Sequence, residues 1–419
     1  GAPPEQPLRR LSRSQLYWTL YDLISPLVEQ DEGTLSWLGD WIDEQMVLIP
    51  EDNHTGEDGQ VRGGYRRLDQ TVYQEHAEGV LLLAAGAAVD WGLGSAWSAQ
   101  HYVECDLSGR INLDCASLWI ERFGQRVLRR PLDEPTLEYY QGVFDDTLAA
   151  YGGEGDWGAY EQAFLHVTVT LLTAPHFYYH VEEGEALSAY GLASRLSYHL
   201  WQTSPDDELM AAAADGSLLT DEGWRAQVER MVDDERVERS LSEFFEDWWW
   251  LQEIPEMNAR LETTEYQAFA EGYEPSSTLD DAMVEELVAL GLYVVLEQGG
   301  SVEQLYLSDA NLNTDEELAD LYGIAPWSGR GEPPAMGLAE RAGLLTRIGF
   351  LASGSANTRP VMKGVFIREA LMCEELQPPP EDANVVPPEL SPDATTREVV
   401  ETLTEQPDSS CYGCHAPLI

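Results

Sequence analysis

At 419 residues the chain exceeds the usual size of one domain and can bury a substantial core, so two or three subdomains are expected. Its 75 acidic against 24 basic residues give a formal net charge of -51, yet 43% of the residues are hydrophobic, so the charge coats a packed protein rather than a disordered one. Such a surface repels nucleic acid and anionic membranes and argues against both as partners. Solubility in salty surroundings explains the charge, as does codon bias against lysine joined to secretion, Lys363 being the sole lysine. Attraction of a basic partner protein is the functional alternative.

No window reaches the roughly eighteen apolar residues of a membrane helix; the best, around 80–88, is short and reads as core, so no membrane insertion is expected. The chain starts at Gly1, without Met and without a charged-then-apolar leader. That fits a mature exported form, periplasmic or extracellular, whose signal has been removed.

In chain order, Ser12 and Gln15 read as a capping box that opens a helix through Leu16, Leu20, Leu23 and Ile24. Apolar spacing of three and four predicts further helices near 35–48, 71–89, 115–129, 134–151, 157–173, 186–202, 206–214, 220–233, 236–251, 278–298, 314–322, 338–353, 363–373 and 396–405. Strand alternation is sparse, with 176–181 the best short extended candidate. The fold class is all-α or nearly so. Residues 51–64 and 327–334 read as loops, and the prolines of 377–392 as an extended tether. This divides the chain into an N-terminal helical region 1–110, helical subdomains 111–184 and 185–330, and a C-terminal region 331–419.

Five cysteines are present. Cys105 and Cys115, in CDLSGRINLDC, lie close enough to clip a local loop, and an oxidising compartment would permit their disulfide. Cys373, in REALMCEEL, is then left as a buried thiol on a helix. The remaining pair stands in Cys411-Tyr412-Gly413-Cys414-His415. Two cysteines two residues apart let both vinyl groups of a haem form thioethers while the adjoining imidazole reaches the iron. With this composition the pattern is expected about 0.001 times by chance. A zinc site would need a second pair of ligands at suitable spacing, and no second CxxC occurs. A thioredoxin-like dithiol would need a preceding strand and a following helix. One covalent haem c on Cys411 and Cys414, with His415 as iron ligand, is therefore expected. Only Ala416, Pro417, Leu418 and Ile419 follow His415, so the main body, further sequence or another subunit is expected to complete the pocket.

Several segments then resemble a known family, the large uncharacterised haem-motif proteins of planctomycetes and myxobacteria that are built of consecutive domains of unknown function. The similarity runs through PLRRLSRSQLYWTLYDLI, FGQRVLRRPLDEPTLEYY, LTAPHFYYHVE, ASRLSYHLWQTSPDDELMAAAADGSL and FFEDWWWL. It continues in LNTDEELADLYGI, the stretch ERAGLLTRIGFLASGSANTRPVMKGVFIREALMCEELQPPPEDA and the terminal CYGCHAPLI. It covers nearly the whole chain and is weakest over 50–115. What the resemblance implies is an exported monohaem c-type protein, with no enzyme class attached.

The sixth iron ligand is open between Met362, in NTRPVMKG, and Met336, in PPAMGLAERAG, with ordinary packing the competing reading for each. His176, His180 and His199 read as hydrogen-bonded core or surface residues. Trp248, Trp249 and Trp250, with Phe244 and Phe245 one turn earlier, read as an aromatic wall beside a haem or a relay for electrons, with ordinary core packing the favoured reading. Arg129, Arg130, Arg341, Arg347, Arg359 and Arg368 are candidates for haem propionates, against structural ion pairs. No phosphate loop, GxSxG elbow or HExxH helix occurs. A calcium loop at 52–58 lacks the full EF-hand pattern.

Two functional classes follow, electron transfer and a haem-dependent oxidoreductase of peroxidase or oxygenase type. A third is a structural subunit of a haem-bearing extracellular assembly. The partners expected are a redox protein or neighbouring subunits, including a homo-oligomer.

Overall fold

The computed structural model describes residues 9–52, 71–107, 111–181, 187–270, 272–338, 341, 343–352, 360–374, 376, 395, 398, 400–402 and 412. The described residues up to Ser240 pack as one unit and those from Leu241 as another.

The first unit holds α1 (Arg13–Ile24), α2 (Glu32–Met46), α3 (Gln74–Val89), α4 (Ala96–Ala99), α5 (Leu113–Leu128), α6 (Glu134–Tyr151), α7 (Trp157–Leu172) and α8 (Pro175–Tyr178). It continues with α9 (Ala189–Leu200), α10 (Asp207–Ala214), α11 (Asp221–Val232) and the start of α12 (Val237–Trp248). The remaining helices are α13 (Thr264–Ala270), α14 (Leu279–Leu292), α15 (Val302–Leu307), α16 (Glu316–Tyr322), α17 (Ile348–Leu351) and α18 (Pro360–Phe366). The fold is all-α. Among the described residues the only strands are β1 (Arg9–Arg10) and β2 (Tyr179–His180), paired antiparallel with Arg9 opposite His180. No helix of the described residues is long and apolar enough to cross a membrane.

The helices start where the chain supplies a short oxygen-bearing side chain. Ser12 accepts the Gln15 N–H and Gln15 returns the bond, completing the expected capping box. Asp31, Asp133, Asp156, Asp206 and Asp315 cap their helices in the same way. Acidic residues follow in several first turns, as with Glu134, Asp207 and Glu208, or Glu316 and Glu317. An acidic chain thereby sets its negative charge against the positive ends of the helix dipoles.

The core of the first unit forms around α7, whose Tyr160, Ala163, Phe164, Val167 and Leu171 are fully buried against α6, α3 and α5. Val80, Leu83, Ala84, Ala87 and Ala88 of α3 belong to this core, as the shortness of the apolar run implied. A second cluster joins α9, α10 and α11 around Trp201, whose indole N–H donates to the Met231 carbonyl at 2.9 Å while the Arg236 guanidinium lies 3.5 Å from its ring centroid.

Four expected elements differ in form. The extended stretch 176–181 is a helical turn as far as Tyr178, since Pro175 at its start presets φ for a helix; only Tyr179 and His180 pair as strand. The helix expected over 338–353 is broken. Gly343 takes φ +86°, and a Cβ there would stand 2.1 Å from the Tyr306 carbonyl oxygen, so a turn at Leu344–Thr346 precedes the short α17. Both α14 and α18 end in π turns, at Tyr293–Glu297 and Ile367–Leu371. Of the final helix, residues 398 and 400–402 are described and helical. The proline-rich tether 377–392 and most of the loop 51–64 lie outside the described residues.

Asp206 shows how cap and ion pair combine. Its Oδ1 accepts the Leu209 N–H at 2.9 Å, and Arg230 donates to both carboxylate oxygens at 2.7 and 3.1 Å. Burial pushes this carboxyl up, but the Arg230 and Leu209 bonds outweigh it, and the group is held below the ordinary carboxylate range. An Asp206→Asn variant is expected to lose about 1–2 kcal/mol at neutral pH. Because the folded-state pKa is depressed, the loss is full above the ordinary carboxylate pKa and shrinks as pH falls below about 4. Urea unfolding of both proteins across that range measures it.

Candidate functional site

In the second unit, α14 presents Leu279, Ala282, Met283, Leu287 and Leu290 to the core, and Glu286 falls on the same buried stripe. Its Oε1 accepts from Arg347 Nη1 at 2.8 Å and its Oε2 from the Tyr322 hydroxyl at 2.7 Å. Tyr322 also accepts the Ile348 N–H at 2.9 Å, and Arg347 Nη2 donates to the carbonyls of Ser308 and Ala310 at 3.2 and 2.8 Å. The Glu286 and Arg347 side chains are 1% and 0% exposed. Burial raises the Glu286 carboxyl above its ordinary range against the pull of Arg347. Burial, then Glu286, raise the Tyr322 phenol, which stays a donor.

This network fastens the start of α17, and α17 carries Phe350 into an aromatic series. Phe245 and Trp249 stand 4.6 Å apart by ring centroids, Trp249 and Phe350 6.1 Å, Phe350 and Phe366 5.2 Å, and Phe366 and Trp250 5.5 Å. The rings therefore run from α12 through α17 to α18. Gly291 makes room for one of them, since a Cβ there would lie 2.5 Å from the Phe245 ring. Trp248 donates its indole N–H to the Ala370 carbonyl at 2.8 Å, pinning the π turn that follows α18. The indole nitrogens of Trp249 and Trp250 are buried and have no hydrogen-bond partner among the described residues. Trp250 also holds φ +53°, an outlying conformation for so bulky a residue.

Cys411, Cys414 and His415 lie outside the described residues, as does Arg359. Met362 is 43% exposed on α18, one turn before Phe366 and so on the same side of the helix. Met336 is buried in an apolar cluster with Met283, Leu318 and Tyr322. Cys105 and Cys115 form a disulfide, with Cα atoms 6.2 Å apart. Cys373 is exposed, contrary to the buried thiol expected: the π turn after α18 ends at Leu371 with Met372 as its C-cap, and Cys373 turns into the left-handed region at φ +55°, off the apolar face. Arg347 serves Glu286, Arg368 pairs with Glu374, and Arg341 donates to the Thr346 carbonyl at 3.0 Å. These three are structural arginines. The calcium reading of 52–58 falls mostly outside the described residues, while Asp52 pairs with Arg10 at 2.6 Å. Among the described residues no group of three or more His, Cys, Asp or Glu side chains could hold a metal ion.

Sequence reasoning missed the Glu286 network. Its signal was an acidic residue on an otherwise apolar helical stripe, which demands a buried cationic partner. Removing either charge alone, as in Glu286→Ala or Arg347→Ala, is expected to destabilise the second unit by about 3–5 kcal/mol, and an apolar double replacement of matched volume to recover much of that. Guanidinium unfolding followed by tryptophan fluorescence measures both.

Three family models match in succession: PSD5, a protein of unknown function (DUF1595), over residues 115–182; PSD4, a protein of unknown function (DUF1592), over 187–324; and PSCyt3, a protein of unknown function (DUF1588), over 341–419. No curated protein and no solved structure matches the chain. The chain thus belongs to the multi-domain proteins that join these three domains of unknown function in tandem.

Proposed function

We propose that the protein is an exported, monohaem c-type cytochrome that transfers electrons, with haem bound covalently through Cys411 and Cys414 and its iron held by His415. The observation that carries this reading is the CYGCH sequence, which lies within the segment matching PSCyt3, a name that itself points to cytochromes. When bound, the haem supplies an iron that accepts and releases single electrons.

The second unit offers features that fit such a group. A haem needs apolar surface, and Trp249, Trp250, Phe350 and Phe366 provide a rigid aromatic series. The orphaned indole N–H groups of Trp249 and Trp250 are donors of the kind a propionate would satisfy. Between the two methionines, Met362 is the better sixth ligand, because its side chain is accessible beside that series while Met336 is committed to packing. The Cys105–Cys115 disulfide favours an oxidising compartment. With a net charge of -51 the protein would approach a redox partner through that partner's basic face, at a rate that falls with ionic strength.

Protein from a host competent in haem attachment is expected to keep its pigment after denaturation and to carry the mass of one haem; a chain that loses its colour to acid-acetone, or gains no mass, overturns the proposal. The ferrous protein is expected to be low-spin and indifferent to carbon monoxide, whereas Met362→Ala should become high-spin and bind carbon monoxide readily. Carbon monoxide binding by the unmodified protein, together with peroxide turnover, would instead assign it to the haem-dependent oxidoreductases.

A further inference from the structure

We propose that the first unit contains a separate binding site, a cationic cavity that takes a small oxyanion of the carboxylate or phosphate class. The cavity measures about 300 Å³ and is lined by Arg129 and Arg130 beyond the end of α5, by His176 and His180, and by Ser194 and Arg195 of α9. Its volume is at the lower end of the range for small-molecule sites. Residues from two of the matched segments build it, 115–182 on one side and 187–324 on the other.

Arg129 is the observation that points to an anionic ligand. It is 5% exposed, and its guanidinium donates to the carbonyls of His176, Phe177 and Tyr179 and to the Tyr198 hydroxyl. Every one of these partners is neutral, and among the described residues no carboxylate pairs with Arg129. Arginines elsewhere behave differently: Arg10 meets Asp52, Arg230 meets Asp206, Arg239 meets Asp22 and Arg347 meets Glu286. A buried cation without an anion is unfavourable, and in a chain with 75 acidic residues it is not forced by scarcity. Arg129 also holds φ +59° at the C-cap of α5, a left-handed conformation uncommon for a residue other than glycine.

Two further observations agree in sign. Burial, then Arg129, Arg9 and Arg195, depress the His180 imidazole to about 3, so three guanidinium groups act on this ring in the same sense. The His180 Nε2 lies 3.4 Å from Gln15 Oε1, a contact a neutral ring can make by donating. The start of α9 opens on the same space through Ser188, Tyr190 and Gly191, adding the positive end of a twelve-residue helix.

The test is thermal unfolding of the full, haem-loaded chain with succinate, citrate, phosphate or sulfate, compared with sodium chloride at equal ionic strength. A saturable rise in Tm with one or more oxyanions is expected, and the preferred probe separates a carboxylate from a phosphate ligand. Arg129 holds three carbonyls and its loss endangers folding, so the variant is Arg195→Gln. It should weaken the apparent affinity about tenfold or more while leaving the ligand-free Tm within a few degrees and the haem spectrum unchanged. Equal stabilisation by chloride, or an affinity indifferent to Arg195→Gln, would overturn the proposal. So would stabilisation that appears only when Glu182, Glu183 and Glu185 are replaced by Gln, since the chain's own carboxylates would then be the occupants.

Discussion

Glu286 and Arg347 are removed almost entirely from water, and the second unit is arranged around keeping them together. Each would be costly to bury alone, so the position of one fixes the other, and Tyr322 and the carbonyls of Ser308 and Ala310 take up the remaining hydrogen bonds. The pair ties α14, α16 and the segment entering α17 into one arrangement. Apolar contacts alone allow neighbouring helices to slide; a buried charge pair with defined hydrogen bonds allows one register. The placement of Phe350, and through it the continuity of the aromatic series to Phe366, depends on that register.

The first unit solves the same problem at its surface. Basic residues are outnumbered by acidic ones in this chain, and two arginines bridge elements: Arg230 joins α11 to the cap of α10, and Arg239 of α12 reaches Asp22 of α1 while lying 4.0 Å from the Trp18 ring centroid. Guanidinium groups can do both because they are planar, donate in pairs and stack on aromatic faces. The many remaining carboxylates are left to water or to helix N-termini, where the dipole favours them. A strongly acidic composition is thus compatible with a tightly packed core.

The two proposals rest on features of different character. The second unit offers apolar rings, indole donors without a partner among the described residues and an accessible methionine, which suit a large prosthetic group with few polar edges. The first offers an uncompensated buried guanidinium beside a small cavity, which suits a compact anion. Neither chemistry substitutes for the other.

Much of the fold could be read from the chain itself, because helix starts and apolar spacing are local properties. Ser12 with Gln15 gave a capping box, and apolar spacing gave α6, bounded at the expected residues 134 and 151. The CYGCH pattern was legible for the same reason: its chemistry depends on five adjacent residues. Elements whose form depends on distant atoms were not. The break before α17 follows from Gly343 approaching the Tyr306 carbonyl, and the exposure of Cys373 from where a π turn ends. Arg129 and Arg347 look alike as arginines beside apolar runs, yet Arg347 is neutralised by Glu286, sixty-one positions away, and Arg129 meets only carbonyls and a phenol. Which buried charge has a partner is decided by three-dimensional proximity, and no local pattern of residues carries that information.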